Sequence, residues 1–267
     1  MVNKYTAIGY IYCVSLAAFF SCKADDSKAV LEKRLYLESW QLATQSNQEA
    51  RARALSSVVT VSQPLAKGLG FFINSKGYLV TASRLVKNSA GELTVTVKSE
   101  GCEEEYDKVR IIALNTIMGL ALLKIEAADG KDFNYAPLAD YRDVQSGQPV
   151  FLLANHRDIG MAVNGADSVV TVRARAIGQF IYIQHSIPVT LLNDGGPLFN
   201  KEGEVIGINI ETGQKFSGAG FGFSLPVAFI KLFVNHRAGF AFNATDSVLG
   251  NKYYSIKKSQ WLRNEKK

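Results

Sequence analysis

The sequence predicts an all-β fold that is built from short antiparallel strands. Among its 267 residues, 47% are hydrophobic and 22 are glycine against 6 proline, a composition typical of a folded domain rather than a disordered chain. From residue 57 onward, short β-branched and apolar runs alternate with turn signals such as residues 74–77, Asn-Ser-Lys-Gly. Strands and turns at this spacing favour an antiparallel sandwich or barrel. The length allows one large β domain or two small ones.

The first 21 residues are predicted to be a lipoprotein-type signal peptide. Lys4 supplies a positive charge, and residues 7–20 form an apolar run that is too short to span a bilayer. Ser21 and Cys22 follow the run directly, which resembles a bacterial lipoprotein signal in which the cysteine is lipidated. Cys22 is therefore the predicted lipidation site, and membrane contact is expected through it. The alternative is an ordinary cleaved signal peptide with a chance cysteine.

The predicted location is the bacterial cell envelope, with the protein lipid-anchored in the periplasm or on the outer-membrane surface. Asp25 and Asp26 resemble the acidic tag that directs some lipoproteins to the cell surface. Cys102 is alone once Cys13 leaves with the signal and Cys22 is lipidated, so we expect no intramolecular disulfide.

Composition also limits the classes of partner and cofactor. The net charge of +6 is spread along the chain, which argues against nucleic acid and for weak attraction to acidic surfaces. The three histidines are scattered, which predicts no metal site. A Gly-Leu-Gly sequence at residues 68–70 precedes a predicted strand rather than a helix, so no phosphate-binding loop and no cofactor are expected.

Residues 22–56 are predicted to hold the anchor and a helical segment that covers residues 26–56. Leu31, Leu35 and Leu42 recur at about helical spacing, and Asp26 or Ser27 can cap the first turn. We expect this helix to pack on the domain or to separate it from the membrane. An oligomerisation arm is the alternative, and the oligomeric state stays open.

The β domain is predicted to cover residues 57–240, followed by a polar, basic tail at residues 241–267. Pro226 is predicted to open a short helix over residues 227–235, with Ser224 as a candidate N-cap. The predicted strands occupy residues 57–62, 70–73, 78–81, 93–97, 109–113, 120–125, 150–154, 168–172, 180–184 and 204–209.

Several motifs within residues 57–234 occur in the order and spacing of one known family. They are residues 68–73, 77–81, 120–125, 193–198, 203–209 and 220–226. This stretch resembles the protease domain of the HtrA family, a bacterial branch of the chymotrypsin-like (trypsin-like) serine proteases. The resemblance implies a double antiparallel β-barrel of trypsin/chymotrypsin type with six strands in each barrel, flanked here by the N-terminal helix and the short C-terminal helix.

The resemblance also implies where the catalytic residues of such a protease would lie, and this chain differs at each place. The histidine position is Arg84, which stays protonated and cannot act as a general base. The aspartate position is Gly119, and the serine position is Asp194. Leu192 replaces the oxyanion-hole glycine, whose backbone conformation leucine resists. We therefore predict no catalytic residues at these degenerate positions.

Because histidine and serine touch in the family, we expect Arg84 and Asp194 to form an ion pair. The predicted function is that of a catalytically inactive protease homologue, a pseudoprotease that binds a protein or peptide ligand in the former cleft. Two alternatives stay open: a serine-type endopeptidase with an active site rebuilt around Ser83 or His185, and a structural envelope lipoprotein.

Overall fold

The computed structural model describes residues 47–87, 93–99, 102–126, 131–156, 160–191, 193–210 and 220–241. The predicted signal peptide, Cys22, Leu192 and nearly all of the predicted tail lie outside these ranges, as does the predicted helix before Asn47. Within the described ranges, no helix combines the length and the apolar composition needed to cross a membrane.

Two α-helices flank a body of β-strands, as predicted. They are α1 (Asn47–Ser56) and α2 (Val227–Asn235), and short 3-10 helices lie at Ser83–Leu85, Tyr141–Asp143 and Arg237–Phe240. The strands are β1 (Val58–Gln63), β2 (Ala66–Phe72), β3 (Tyr78–Ala82), β4 (Thr94–Ser99), β5 (Cys102–Tyr106), β6 (Val109–Asn115), β7 (Leu120–Ile125), β8 (Pro149–His156), β9 (Gly160–Ile177), β10 (Phe180–His185), β11 (Pro197–Asn200), β12 (Val205–Asn209) and β13 (Gly222–Pro226).

The N-terminal half forms a curled antiparallel sheet in the order β5-β4-β1-β2-β3-β7-β6. Its central strands β1, β3 and β7 are buried along most of their length, which fits their nearly continuous β-branched and apolar sequences. Strand β5 lies at one edge and exposes Glu103, Glu104 and Glu105. Charged side chains at an edge discourage pairing with another chain.

The C-terminal half forms a closed six-stranded barrel in the order β10-β13-β12-β11-β8-β9. The 18-residue strand β9 closes it, because β9 pairs with β8 at one end and with β10 at the other. Register shifts in both pairings let this long strand bend around the barrel.

One hydrophobic cluster joins the two halves and fixes their relative position. It includes Leu69 and Phe71 from the first sheet and Phe199 from the barrel, all fully buried. Phe151 stacks on Phe199 with ring centroids 5.1 Å apart. Helix α2 adds Phe233 to the same cluster, so it packs across the junction rather than on one half.

The predicted fold class is confirmed, with corrections in detail. The first sheet has seven strands where six were expected, because the hairpin partner β5 was not among the predicted strands. Helix α2 has the predicted bounds, but Ser224 does not cap it: Pro226 occupies the N-cap position without a side-chain hydrogen bond. The Ser224 hydroxyl instead donates to Asn209 Oδ1 inside the barrel.

Candidate functional site

A cavity of about 340 Å³ lies between the first sheet and the barrel. Arg84, Gly119 and Asp194, which the sequence analysis matched to the triad positions, all line it. Its walls come from the end of β3, the β6–β7 turn, the β9–β10 hairpin, and the segments before β11 and after β12. The complete described lining is Ala82, Ser83, Arg84, Thr116, Ile117, Met118, Gly119, Ile177, Tyr182, Asp194 and Ile210.

Arg84 is held at the cavity by the 3-10 helix that follows β3. The Ser83 N–H donates to the Gly119 carbonyl at 2.8 Å, which ties this helix to the β6–β7 turn. Leu85 is fully buried on the other side of Arg84. Since both neighbours are fixed, the Arg84 side chain is directed into the cavity and keeps 35% of its surface exposed.

Asp194 lies in a turn that backbone hydrogen bonds hold on both sides. Its carbonyl accepts from the Leu69 N–H at 2.8 Å, which connects the turn to the first sheet. Gly195 donates to the Asn209 carbonyl, and the Asn209 N–H donates to the Gly196 carbonyl, each at 2.8 Å. This bracing places the Asp194 side chain below the surface, where only 1% of it is exposed.

The Arg84 Nε lies 2.6 Å from the Asp194 Oδ2, so the two replaced positions form the predicted ion pair. The Nε–H bond does not point at this oxygen, and the contact is therefore a close charge pair rather than a linear hydrogen bond. Burial of the carboxylate makes its partner important, because an unpaired charge in this place would be strongly destabilising. The guanidinium thus neutralises Asp194 at the bottom of the cavity.

Gly119 contributes backbone rather than a side chain to the site. The Asn115 side chain accepts from the Ile117 and Met118 N–H groups and so forms the turn before it. Gly119 itself has φ +76°, a conformation that side chains resist. Since Leu192 lies outside the described residues, its predicted effect on the oxyanion-hole position stays a prediction.

His185 is removed from the cavity and takes part in a buried network. It is 0% exposed, and its Nε2 lies 3.0 Å from the Ser224 Oγ. Because the Ser224 hydroxyl donates to Asn209 Oδ1 at 2.7 Å, the His185 Nε2–H donates to Ser224. Burial lowers the pKa of His185 to about 4, so its imidazole is neutral near pH 7. His236 is exposed at the end of α2, and His156 ends β8.

We expect His185 to make the fold sensitive to acid. In the unfolded state His185 has an ordinary histidine pKa of 6.5, whereas in the folded state it takes up a proton only near pH 4. The free energy of unfolding is therefore unaffected by His185 above pH 6.5. It falls by up to about 3 kcal/mol as the pH decreases toward 4, because the unfolded state then binds a proton that the folded state does not. Urea unfolding between pH 4 and 7 measures this slope. The slope should flatten in His185→Gln, which keeps an N–H donor at the buried position.

Sequence motifs identified the charged part of the site but not its walls. Tyr182 and Ile177 belong to the β9–β10 hairpin, and Ile210 follows β12. Their only sequence signal is an ordinary strand pattern, which does not distinguish a cavity wall from core. Their role depends on how the barrel closes against the first sheet, and this is visible only in three dimensions.

Comparison with known proteins agrees with the fold described above. Residues 68–208 match the family model described as a trypsin-like peptidase domain. A probable periplasmic serine endoprotease, DegP-like, from Rhizobium meliloti is 32% identical over 63% of this chain and 32% of its own length. The protein of the same description from Brucella suis is 34% identical over 65% of this chain and 33% of its own. The chain thus spans about one third of the length of these curated relatives.

Solved structures show the same fold at lower sequence identity. The structure of Deg5 superposes with a TM-score of 0.57 and 24% identity, over 70% of this chain and 92% of that one. The serine endoprotease from Yersinia pestis gives a TM-score of 0.59 and 24% identity, over 73% and 68%. With the family model and the curated relatives, the chain belongs to the trypsin-like peptidase family, in its HtrA branch.

Proposed function

We propose that this protein is a catalytically inactive HtrA-type homologue that binds a protein or peptide segment in the former substrate cleft. The observation that supports this most directly is the ion pair between Arg84 and Asp194 at the histidine and serine positions. In the working mechanism of such proteases, a histidine takes the proton of a serine hydroxyl and an aspartate orients that histidine. None of these three roles has a suitable side chain here.

Each replacement removes a specific chemical ability. Arg84 has no basic lone pair at any useful pH, so it cannot accept a proton. Asp194 is 1% exposed and paired with Arg84, which keeps its carboxylate from reaching a substrate carbonyl. A negative charge at this position would also oppose the oxyanion that develops during peptide cleavage. Gly119 has no group that can orient a base.

The alternative of a rebuilt endopeptidase has little support in the geometry. Ser83 lines the cavity and has the hydroxyl that a new nucleophile would need. None of the described lining residues is a histidine, and His185 donates to Ser224 within the barrel interior. An unassisted serine hydroxyl is a weak nucleophile, because it requires an adjacent base for activation.

Peptide binding requires an open cavity of suitable shape but no activated nucleophile, and the cleft keeps such a cavity. The cavity is open beside the ion pair, and Ile117, Met118, Ile177 and Ile210 give it a mainly apolar wall. Apolar walls with a few polar groups are typical of ligand pockets. A peptide segment with an apolar side chain fits this combination.

A direct test compares binding and cleavage of one unfolded protein. We expect the purified chain to retain fluorescently labelled, reduced casein in a pull-down while the casein stays full length on a gel after overnight incubation. The DegP-like protease of Rhizobium meliloti serves as the positive control for cleavage. Pull-down from envelope extracts then identifies natural partners. If neither casein nor any envelope protein is retained, the result favours a structural lipoprotein instead.

We further propose that the protein is tethered in the bacterial cell envelope through lipidated Cys22. The proposal rests on the signal-like sequence before Cys22 and on relatives that are named as periplasmic. Metabolic labelling with an alkyne fatty acid tests it. Wild-type protein should incorporate the label and fractionate with membranes, whereas Cys22→Ser should do neither. The variant Cys102→Ser is the matched control and should behave as wild type.

A further inference from the structure

The polar groups that face the cavity are rich in hydrogen-bond donors. Arg84 lines the cavity, but its Nε and Nη2 atoms are buried, which leaves Nη1 as the donor that can reach a ligand there. Ser83 and Tyr182 also line it, and neither hydroxyl has a hydrogen-bond partner within the described part of the chain. Three side chains from two different elements thus line one space, and each has a donor group that can face it.

The two charged side chains at the cavity differ in how much of each is exposed. Asp194 is 1% exposed and lies below the surface, whereas Arg84 keeps 35% of its side chain exposed. Among the described lining residues, only Arg84 therefore presents a charge to an incoming ligand. A guanidinium has five N–H donors, and because the Nε and Nη2 atoms of Arg84 are buried, the two donors of Nη1 are left for a ligand.

The walls around these donors are apolar. Ile117 is 55% exposed at the rim, and Met118, Ile177 and Ile210 add further apolar lining. A ligand that fits this cavity combines an anionic group, which only accepts hydrogen bonds, with an apolar group. The volume of about 340 Å³ limits the apolar group to roughly the size of one side chain. A carboxylate is such an anionic group, since its two oxygens can accept from the Arg84 Nη1 and from the Tyr182 hydroxyl.

Resting on the peptide-binding function proposed above, we propose that this cavity recognises the C-terminal carboxylate of a peptide whose last side chain is apolar. The carboxylate accepts hydrogen bonds from Arg84 and from the Tyr182 hydroxyl, and the last side chain packs against Ile117 and Met118. An internal peptide segment offers only single carbonyl oxygens and uses the Arg84 donors less well. Arg84, which occupies the family's histidine position, is then the residue that recognises the C-terminal end of the peptide.

Fluorescence anisotropy with three labelled peptides tests this recognition. The probes are a pentapeptide Ala-Ala-Ala-Ala-Leu with a free C-terminus, the same peptide as its C-terminal amide, and a version extended by two glycines. We expect the free acid to bind at least about tenfold more tightly than the other two, because the amide has no charged acceptor for Arg84 and the extended peptide places its carboxylate two residues beyond the apolar side chain. Unlabelled 4-methylpentanoate, which mimics the leucine end alone, should compete at least about tenfold more weakly than the free-acid peptide.

Variants locate the effect at the cavity. The double variant Arg84→Gln with Asp194→Asn removes the cation without leaving a buried carboxylate unpaired, and it should lose the preference for the free acid. Tyr182→Phe removes only a hydroxyl and should weaken free-acid binding about three- to tenfold. Lys87→Gln changes an exposed lysine outside the cavity lining and is expected to bind as wild type.

Each of the other possible results of these binding experiments overturns a specific part of the proposal. Equal binding of acid and amide refutes carboxylate recognition but leaves a peptide-binding cleft. Competition by 4-methylpentanoate as strong as by the peptide would assign the cavity to small carboxylic acids and refute the peptide ligand. If casein is retained but none of the three peptides binds, the cavity is not the binding site; if casein is not retained either, the peptide-binding function fails as well.

Discussion

Replacing Gly195 with alanine is expected to destabilise the protein by about 3–5 kcal/mol, since it adds left-handed backbone strain to a steric clash. Gly195 has φ +78°, and an alanine Cβ would lie 2.3 Å from the Leu69 carbonyl oxygen and 2.9 Å from the Thr81 Oγ1. Leu69 and Thr81 cannot move aside easily, because Thr81 Oγ1 donates to the same carbonyl at 2.6 Å within the sheet. Urea unfolding measures the loss.

A matched glycine separates the two causes. Gly178 in the β9–β10 turn has φ +60°, but nothing lies within 4 Å of a Cβ placed there. Gly178→Ala should therefore cost only the conformational strain, about 1–2 kcal/mol. Equal losses in the two variants would show that the turn before β11 is not packed against the first sheet as described.

Replacing Arg84 with alanine is expected to cost about 3 kcal/mol, at the lower end for a broken buried ion pair because Arg84 is partly exposed. The variant leaves the Asp194 carboxylate 99% buried and without its cation. Urea unfolding again provides the measurement. As an exposed control, Arg110→Ala breaks a pair with Glu126 whose side chains are 62% and 52% exposed. It should cost less than about 1 kcal/mol.

A second substitution shows whether the cost comes from the pair itself. In the background of Asp194→Asn, Arg84→Ala should lose much less stability, because no buried charge is then left unpaired. If Arg84→Ala costs the same in both backgrounds, Arg84 stabilises the fold through packing and the charge pair contributes nothing.

Much of the fold was predictable because its motifs place strands and turns at fixed spacings. Strand β7 has the predicted bounds, since residues 120–125 are apolar except for Lys124 and follow directly on a turn. Strand β5 was missed because three consecutive glutamates oppose strand propensity in isolation. It forms as an edge strand that pairs with β4, where the exposed face accepts charge.

The candidate site was predictable at its charged positions and not at its polar interior. Arg84 and Asp194 followed from motif spacing, and their chemistry implied the ion pair. Ser224 was expected to cap α2 because it precedes Pro226, but tertiary contact with Asn209 and His185 decided its hydrogen bonds. Such a network joins residues that are far apart in sequence, so no local signal reports it.

Labelling by a serine-directed fluorophosphonate, read by intact mass spectrometry, tests most directly whether the protease chemistry has been replaced. The probe reacts with any serine that a base activates, whatever the natural substrate is. Wild-type protein is expected to show no adduct under conditions in which the Rhizobium meliloti relative is fully labelled. An adduct that maps to Ser83 and disappears in Ser83→Ala would show a rebuilt nucleophile and would contradict the proposed function.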